Sequence, residues 1–277
     1  MPPPSALIVI PARFGSTRLP GKPLIPIAGR TLLERVVDVG RRAAALAGNT
    51  TLVVATDDVR VADHARALGC EVAMTARDIA SGSGRAYAAA IGRTVLPDLI
   101  VNLQGDAPFV AASVPALLID ALRGHWGHES ACEVATPVVR LDWRALDALR
   151  EHKRLTPFSG TTCVCAADGR ALWFSKAIIP AIRDEARLRA AGPPSPVWRH
   201  LGVYAYRREA LARFEAASPT ACERLEGLEQ LRLLELGIGV AAVEVAAPVH
   251  AMSGIDTAED VALAEQLIAR FGDSFGG

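Results

Sequence analysis

The first half of the chain alternates between short apolar runs and amphipathic stretches. Ala6 to Ile10 is a continuous apolar run, rich in β-branched residues, with the length of a buried strand. Similar runs predict strands at 51–55, 70–74 and 99–103. Helical spacing of apolar residues predicts helices at 31–46, 59–68 and 112–123, and an alanine-rich helix that ends near Gly92. This alternation predicts an α/β fold with a doubly wound, mostly parallel sheet.

The second half of the chain is less regular. Residues 140–160 are polar and predict an irregular segment after a strand at 131–139. Asp168-Gly169 lies between β-rich runs at 161–166 and 170–174, which predicts a hairpin. The remaining pattern predicts a helix at 223–236, a strand at 240–245 and a helix at 258–271. Four leucines of the first of these helices are expected in the core: Leu225, Leu228, Leu231 and Leu234.

The 277 residues are enough for a large core. We divide the chain into three segments. An α/β core over 1–139 is followed by an inserted β-rich lobe over 140–206, and 207–277 returns to the core. Hydrophobic residues make up 51% of the chain, and 30 basic residues balance 30 acidic ones. This composition argues against disorder and against a nucleic-acid-binding surface. The absence of a signal-peptide pattern and of a membrane-length apolar run predicts a soluble, cytoplasmic protein without membrane partners.

The five cysteines form neither a disulfide framework nor a zinc-binding pattern, because their number is odd and no C-x-x-C pair occurs. Cys163 and Cys165 alternate on a predicted strand and are expected to share one face. Core packing is the role we assign to them.

The loop after the first strand carries three cations, Arg13, Arg18 and Lys22, among glycines and prolines. Such a loop can wrap an anion closely, and its side chains can bind phosphate oxygens. At the carboxyl edge of an α/β sheet, the loop would lie where ligands bind. The alternative is a solvated basic surface loop. The loop after the first strand does not have the Walker pattern. It also lacks the dinucleotide-binding pattern G-x-G-x-x-G, which argues against a nicotinamide dehydrogenase.

Two aspartates and one glycine-rich turn follow predicted strands or precede predicted helices. Asp106 follows the strand at 99–103 and suits Mg²⁺, although an aspartate in a turn is the plain alternative. Asp256 precedes the last helix and could simply cap it. Ser81-Gly82-Ser83-Gly84-Arg85 opens a helix and could offer N–H donors to an anion or a base, or could form a flexible turn.

The loop from Pro11 to Leu24 reads P-A-R-F-G-S-T-R-L-P-G-K-P-L and resembles the signature loop of the sugar nucleotidyltransferases. It is most similar to that of the CMP-Kdo synthetases, cytidylyltransferases that activate 3-deoxy-manno-octulosonic acid (Kdo). Five further runs resemble family motifs: S-G-S-G-R at 81–85, Q-G-D-A-P at 104–108, F-S-K-A-I-I-P at 174–180, R-H-L-G-V-Y-A-Y at 199–206 and L-E-Q-L-R at 228–232. The run at 199–206 resembles a family strand, and one strand here would place His200 and Tyr204 on the same face. G-I-D-T at 254–257 is similar to the family's G-[VI]-D-T, so the resemblance covers about residues 6–270.

The resemblance implies a Rossmann-like nucleotidyltransferase fold, in which the inserted lobe serves acceptor binding and dimerisation. It implies transfer of CMP from CTP to an acidic acceptor, with release of pyrophosphate and no protein nucleophile. The implied nucleotide-binding residues are Pro11, Ala12, Arg13, Lys22, Ser81, Gly82, Arg85 and Gln104. The implied acceptor-binding residues are Gln104, Lys176, His200, Tyr204, Glu229 and Gln230. Arg13, Lys22 and Asp106 would be catalytic, Asp106 and Asp256 would hold Mg²⁺, and the protein would be a homodimer.

Four residues depart from the family pattern. Gly84 and Ala107 stand where acidic residues are usual, Thr162 where a lysine is usual, and Lys176 where an arginine is usual. The acceptor is therefore Kdo or a related 2-keto sugar acid on one hypothesis. On another it is a small phosphonate such as phosphonoformate. A non-catalytic CTP-binding homologue is the hypothesis from a different functional class, and the choice of base rests on the resemblance alone.

Overall fold

The computed structural model describes residues 3–16, 18–124, 132–248, 252 and 254–275. Thr17, Ala131 and Ser253, which belong to predicted elements or motifs, lie outside the described residues. The strands are β1 Ala6–Pro11, β2 Pro26–Ile27, β3 Arg30–Thr31, β4 Thr50–Thr56, β5 Glu71–Met74, β6 Leu99–Asn102, β7 Val134–Arg140, β8 Thr161–Cys165, β9 Ala171–Ser175, β10 Trp198–His200, β11 Tyr204–Arg207 and β12 Val240–Glu244. The helices are α1 Leu32–Ala47, α2 Val59–Ala67, α3 Gly82–Ile91, α4 Ser113–Gly124, α5 Trp143–Leu155, α6 Glu185–Ala190, α7 Arg208–Ala216, α8 Ala221–Glu226, α9 Gln230–Glu235 and α10 Ala258–Phe271.

The first half of the chain forms a parallel sheet in the order β5-β4-β1-β6. Alternate side chains of β1 enter two different cores. Ile8 and Ile10 pack with α1, α2 and α4 on one face, whereas Leu7 and Val9 pack with α3 and α7 on the other. Burial on both faces explains why β1 is an uninterrupted apolar run. The predicted doubly wound α/β class is confirmed.

The second half extends this sheet with mixed pairing. β11 lies antiparallel between β6 and β7, and β10 lies antiparallel between β7 and β8. β12 runs parallel to β7, and the predicted hairpin is present as β8–β9. One sheet therefore contains strands from all three predicted segments, and the division into segments stays a prediction. Among the described helices, none combines the length and the apolar character that a membrane span requires.

Three secondary-structure predictions in the second half of the chain are wrong. Residues 140–160 contain α5, which Asp142 caps by accepting a hydrogen bond from the Ala145 N–H at 2.6 Å. This helix buries mainly Leu146 and Leu149, so its apolar stripe is too sparse to stand out in a polar segment. The predicted strand at 199–206 is divided into β10 and β11 by a turn in which the Val203 N–H bonds the Leu201 carbonyl at 2.9 Å.

The predicted helix at 223–236 is also divided, into α8 and α9. Gly227 adopts φ +64°, a left-handed conformation that ends α8. The break turns Leu225 outward, with 84% of its surface exposed, while Leu228 and Leu231 remain in the core. The expectation that Leu225 is a core residue is therefore wrong. Cys163 and Cys165 do share a face, with their sulfurs 3.7 Å apart.

Candidate active site

The carboxyl ends of β1 and β6 open into a cavity of about 350 Å³. Every residue that was predicted to bind the nucleotide borders this cavity: Pro11, Ala12, Arg13, Lys22, Ser81, Gly82, Arg85 and Gln104. Asp106 and Asp256 border it as well. The structure thus brings together residues from four separate stretches of the chain at the sheet edge where the sequence placed them. We call this cavity the nucleotide pocket.

Close backbone contacts hold the nucleotide pocket together. A Cβ atom on Gly105 would lie 2.3 Å from the carbonyl oxygen of Pro11, so only glycine allows the loop after β6 to meet the loop after β1. The Ile255 N–H donates to the carbonyl oxygen of Asp106 at 2.9 Å. This bond places the segment before α10 directly against the end of β6, and it brings Asp256 beside Asp106.

Lys22 lies between the two aspartates. Its Nζ is 2.7 Å from Oδ2 of Asp106 and 2.9 Å from Oδ1 of Asp256. Arg18 approaches the other oxygen of Asp256 at 3.3 Å. The loop that was predicted to bind phosphate therefore carries its cations to the same point as the carboxylates that were predicted to bind metal.

Asp256 does not cap the last helix. The cap of α10 is Thr257, whose hydroxyl accepts the Asp260 N–H, while the Asp260 carboxylate accepts the N–H groups of Asp256 and Thr257. This capping box leaves the Asp256 carboxylate free to contact Lys22 and Arg18. The alternative reading of Asp256 as a simple cap is therefore wrong.

The donor set suits a hard divalent cation. Within the described residues, no group of three or more His, Cys, Asp or Glu side chains converges as a metal site. Asp106 and Asp256 nevertheless aim one oxygen each at a single cationic centre, the Lys22 ammonium. One or two carboxylates together with substrate phosphates are the usual ligands of Mg²⁺ in nucleotide sites. The residues present fit that ion.

The start of α3 forms another wall of the nucleotide pocket. Ser81 caps this helix by accepting the Gly84 N–H at 2.9 Å. A Cβ on Gly82 would lie 3.1 Å from Oε1 of Gln104, so the glycine allows close packing of the two walls. Arg85 is buried and donates to the Ile79 carbonyl at 3.0 Å, and burial lowers the pKa of its guanidinium. Arg85 thus helps to hold the wall in place as well as bordering the pocket.

The structure explains the departure at Gly84. A Cβ there would lie 2.9 Å from Oε2 of Glu215, a carboxylate supplied by α7. An acidic side chain therefore occupies this place although the local sequence lacks one. Oε1 of Glu215 is buried without a hydrogen-bond partner among the described residues, and burial raises the pKa of this carboxyl group.

A second cavity of about 780 Å³ adjoins the nucleotide pocket. Most of the predicted acceptor-binding residues border it: Gln104, Lys176, His200, Tyr204 and Gln230. Gln104 and Asp106 border both cavities, so a molecule in one would meet a molecule in the other at these two side chains. We call this second space the acceptor cavity.

His200 is a neutral, buried side chain of the acceptor cavity. Burial, reinforced by the nearby Lys176, lowers the pKa of His200 to about 3. Its Nε2 is 2.9 Å from the Thr136 hydroxyl, which donates to the Val203 carbonyl, so we assign the ring proton to Nε2. Although the predicted strand is broken, the rings of His200 and Tyr204 remain 5.4 Å apart. Their predicted neighbourhood is retained.

Glu229 and Thr162 do not border the acceptor cavity. Glu229 accepts a hydrogen bond from the Ser83 hydroxyl at 2.8 Å, so it links the start of α9 to the start of α3. Thr162 is fully buried, and its hydroxyl donates to the Ala177 carbonyl at 2.7 Å. The structure therefore gives both side chains contacts within the protein.

Sequence reasoning missed Arg199, Gly105 and Glu215. Arg199 borders the acceptor cavity although strand alternation separates it from His200, which was selected. Its charge in an apolar strand was the available signal. Gly105 lies inside a quoted motif, and its importance is visible only from its approach to Pro11. Glu215 lies far from Gly84 in sequence, so no local pattern connects them.

Comparisons with known proteins agree with this geometry. Residues 7–240 match the family model described as Cytidylyltransferase. The 3-deoxy-manno-octulosonate cytidylyltransferase of Maricaulis maris is 39% identical over 271 residues, which cover 97% of this chain and 99% of that protein. The enzyme of the same name from Xylella fastidiosa strain M12 is 40% identical over 269 residues, with 95% and 96% coverage.

Solved structures give the same result. CMP:2-keto-3-deoxy-manno-octonic acid synthetase complexed with CTP aligns with a TM-score of 0.80 and 33% identity, over 96% of this chain and 99% of that chain. A cytidylyltransferase from Leptospira borgpetersenii, with a TM-score of 0.57 and 19% identity over 98% and 90%, shares the fold. The chain belongs to the CMP-Kdo synthetase family of cytidylyltransferases and is a nucleotidyltransferase.

Proposed function

We propose that this protein transfers CMP from CTP to Kdo, with release of pyrophosphate, in a reaction that depends on Mg²⁺. The observation that carries the proposal is the meeting of Lys22, Asp106 and Asp256 at one point of the nucleotide pocket. The alignments with these relatives cover nearly the whole chain. The names of the relatives support CTP and Kdo as the substrates.

Asp106 and Asp256 are the residues that would hold the metal ion. When bound, Mg²⁺ supplies positive charge that orients the triphosphate and neutralises its oxygens. Lys22 and Arg18 already bring positive charge to this point, and Arg13 borders the same pocket. These side chains would bind the phosphates and stabilise the charge that develops on the leaving pyrophosphate.

The two cavities would bring the reacting groups together. Because Gln104 and Asp106 border both, the acceptor hydroxyl and the α-phosphorus would meet beside them. The new bond joins the acceptor oxygen to the α-phosphorus, and the bond from the α-phosphorus to the bridging oxygen breaks. Catalysis of this kind rests on positioning and electrostatics, so no protein nucleophile is required. A homodimer, as the family resemblance implies, stays a prediction.

The test is pyrophosphate release from CTP, with Kdo and Mg²⁺ present and with each omitted in turn. We expect release only in the complete mixture, and we expect chelation of the metal with EDTA to stop it. Lys22→Ala should lower the rate strongly, whereas Arg154→Ala, at an exposed position on α5, should leave it unchanged.

Three outcomes would contradict the proposal. Binding of CTP without pyrophosphate release with Kdo or phosphonoformate would indicate a homologue that does not catalyse the reaction. Release with phosphonoformate and not with Kdo would reassign the acceptor. Full activity in EDTA would remove the role that we give to the metal.

A further inference from the structure

Positive charge accumulates at the rim of the acceptor cavity where β10 lies beside β8. Lys176 and Arg199 border the cavity, and Lys153 lies close to both. Burial lowers the pKa of Lys153, and the charges of Lys176 and Arg199 lower it further. Glu226 is the one carboxylate that acts on Lys153 with the opposite sign. At this rim, the positive charges of Lys153, Lys176 and Arg199 therefore outnumber the single negative charge of Glu226.

Lys153 and Glu226 are occupied by contacts within the protein. Lys153 Nζ donates to the carbonyl oxygens of Gly160 at 3.1 Å and Lys176 at 2.6 Å. Glu226 accepts from the Ser175 hydroxyl and from the Lys176 backbone N–H, each at 2.8 Å. These two side chains hold the ends of β8 and β9 in place. Neither forms an ion pair with a cation that borders the cavity, although the charge of Glu226 acts on Lys176.

Arg199 differs from Lys153 in this respect. Among the described residues, its guanidinium has no hydrogen bond or salt bridge that satisfies it, although burial lowers its pKa. A half-buried guanidinium that no anion contacts carries a desolvation cost, which an acidic ligand in the cavity would relieve. Lys176 also borders the cavity, and burial lowers its pKa too. Its ammonium forms no hydrogen bond or ion pair in the described part of the chain, although the charge of Glu226 acts on it.

The strand register places Arg199 directly opposite Thr162. Thr162 stands where the resembled family carries a lysine, and here its hydroxyl donates to Ala177 and accepts the Ile179 N–H at 3.1 Å. Threonine carries no charge at position 162. At position 176 the family has the planar guanidinium of an arginine, whereas Lys176 offers the point charge of an ammonium group. On this pair of strands, Arg199 is the side chain that offers the fork.

We propose that Arg199 binds the carboxylate of the acceptor through two parallel N–H···O bonds, with Lys176 as a second positive charge. This inference rests on the proposed acidic acceptor and adds a specificity-determining residue to it. The fork of an arginine matches both oxygens of a carboxylate, which a lysine cannot do.

The experiment compares KM for Kdo and KM for CTP in variants of Arg199. Arg199→Gln should raise KM for Kdo about 100-fold, and Arg199→Lys about 10-fold, because the second retains charge and loses the fork. KM for CTP should change less than about threefold in both, which also reports that the variants are folded. Arg170→Gln, at an exposed arginine of the β8–β9 turn, is the matched control and should change neither value.

The amide of Kdo separates carboxylate binding from a structural role. The wild-type protein should use this neutral analogue about 100-fold less efficiently than Kdo, and Arg199→Gln should use the two compounds about equally. A variant that weakens both compounds by the same factor would overturn the inference. So would an unchanged KM for Kdo in Arg199→Gln, while the proposed function would stand.

Calorimetric titration covers the case in which Kdo is not a substrate. The CTP-loaded wild-type protein and Arg199→Gln would each be titrated with Kdo and with phosphonoformate. Loss of the binding of either acid in the variant would support the inference even though the proposed function had failed. Equal binding by both proteins, or binding of neither acid by the wild type, would overturn it.

Discussion

The nucleotide pocket and the acceptor cavity differ in how their charges are satisfied. In the nucleotide pocket, Lys22 contacts Asp106 and Asp256 at 2.7 and 2.9 Å, and Arg18 contacts Asp256. In the acceptor cavity, Lys176 and Arg199 have no such anion among the described residues. In the first region Lys22 and Arg18 are held in ion pairs before any ligand binds, whereas Lys176 and Arg199 in the second region form no ion pair among the described residues.

This difference separates two tasks. A balanced set of ion pairs fixes the distances between the groups that handle the triphosphate, so that little reorganisation is needed when the substrate binds. An unbalanced cavity selects its ligand by charge, because an acidic molecule relieves the cost of the buried cations. The chemistry would therefore reside in the nucleotide pocket and the choice of acceptor in the cavity.

The largest effect is expected from Asp106→Asn. The amide keeps the shape of the side chain and removes the charge that Lys22 contacts and that a metal ion would need. We expect kcat to fall about 10³-fold. The preference for Kdo over its amide should persist, since the cations of the acceptor cavity are untouched. Initial rates of pyrophosphate release with both compounds would measure the two quantities.

Asp63→Asn is the control for this variant, because Asp63 is an exposed carboxylate of α2 that pairs with Arg66. It should leave kcat unchanged. If Asp106→Asn had the wild-type kcat, the ion pairs of Lys22 would have no catalytic role. The assignment of the chemistry to the nucleotide pocket would then be wrong.

The nucleotide pocket could be predicted from the sequence because its parts are local. The loop after β1, the turn before α3 and the turn after β6 are each a continuous run, and parallel strands bring their carboxyl ends to one edge. All predicted nucleotide-binding residues therefore border one cavity. What the sequence could not provide was the position of Lys22 between the aspartates, which depends on the Ile255–Asp106 contact.

The acceptor cavity was harder to predict because its walls come from broken elements. The turn at Leu201–Val203 and the left-handed Gly227 interrupt runs that have the periodicity of one strand and one helix. Local periodicity cannot register such breaks when both halves remain apolar. As a result, Glu229 was assigned to the acceptor and instead contacts Ser83, while Arg199 was passed over.

A smaller effect is expected from the buried histidine of the acceptor cavity. The pKa of His200 is about 3 in the folded protein, against 6.5 for an ordinary histidine. Below pH 6.5 the imidazole of His200 is therefore protonated in the unfolded chain and remains neutral in the folded protein. The free energy of unfolding should fall as the pH drops from 6.5 towards 3, by about 2 kcal/mol at pH 5.

Urea unfolding at pH 8 and pH 5 measures this contribution as the difference between the wild type and His200→Gln. The variant should lose about 2 kcal/mol less than the wild type over this range. His152→Gln, at an exposed position on α5, should lose as much as the wild type. Equal losses in all three proteins would mean that His200 is protonated in the folded protein at pH 5. The acceptor cavity would then hold a third cation beside Lys176 and Arg199.

The smallest effect is expected at Gly84, a departure that lies between Gly82 and Arg85 of the nucleotide pocket. A Cβ at this position would lie 2.9 Å from Oε2 of Glu215 and 2.8 Å from Oγ of Ser81. Gly84→Ala should therefore destabilise the wild-type protein by about 1 kcal/mol, because the buried carboxylate must move. In a Glu215→Ala background the same substitution should destabilise by less, because the contact with Glu215 is gone and the contact with Oγ of Ser81 remains.

The difference between the two backgrounds is the decisive quantity, and denaturant unfolding of the four proteins in the cycle measures it. A coupling energy of about 0.5–1 kcal/mol would mean that Glu215 fills the place of the missing acidic residue. Gly124→Ala, at a helical glycine whose Cβ would meet no atom of the described residues within 4 Å, should give the same change in both backgrounds. If Gly84→Ala did so too, the start of α3 would lack its carboxylate, and the nucleotide pocket would be less complete than its ion pairs indicate.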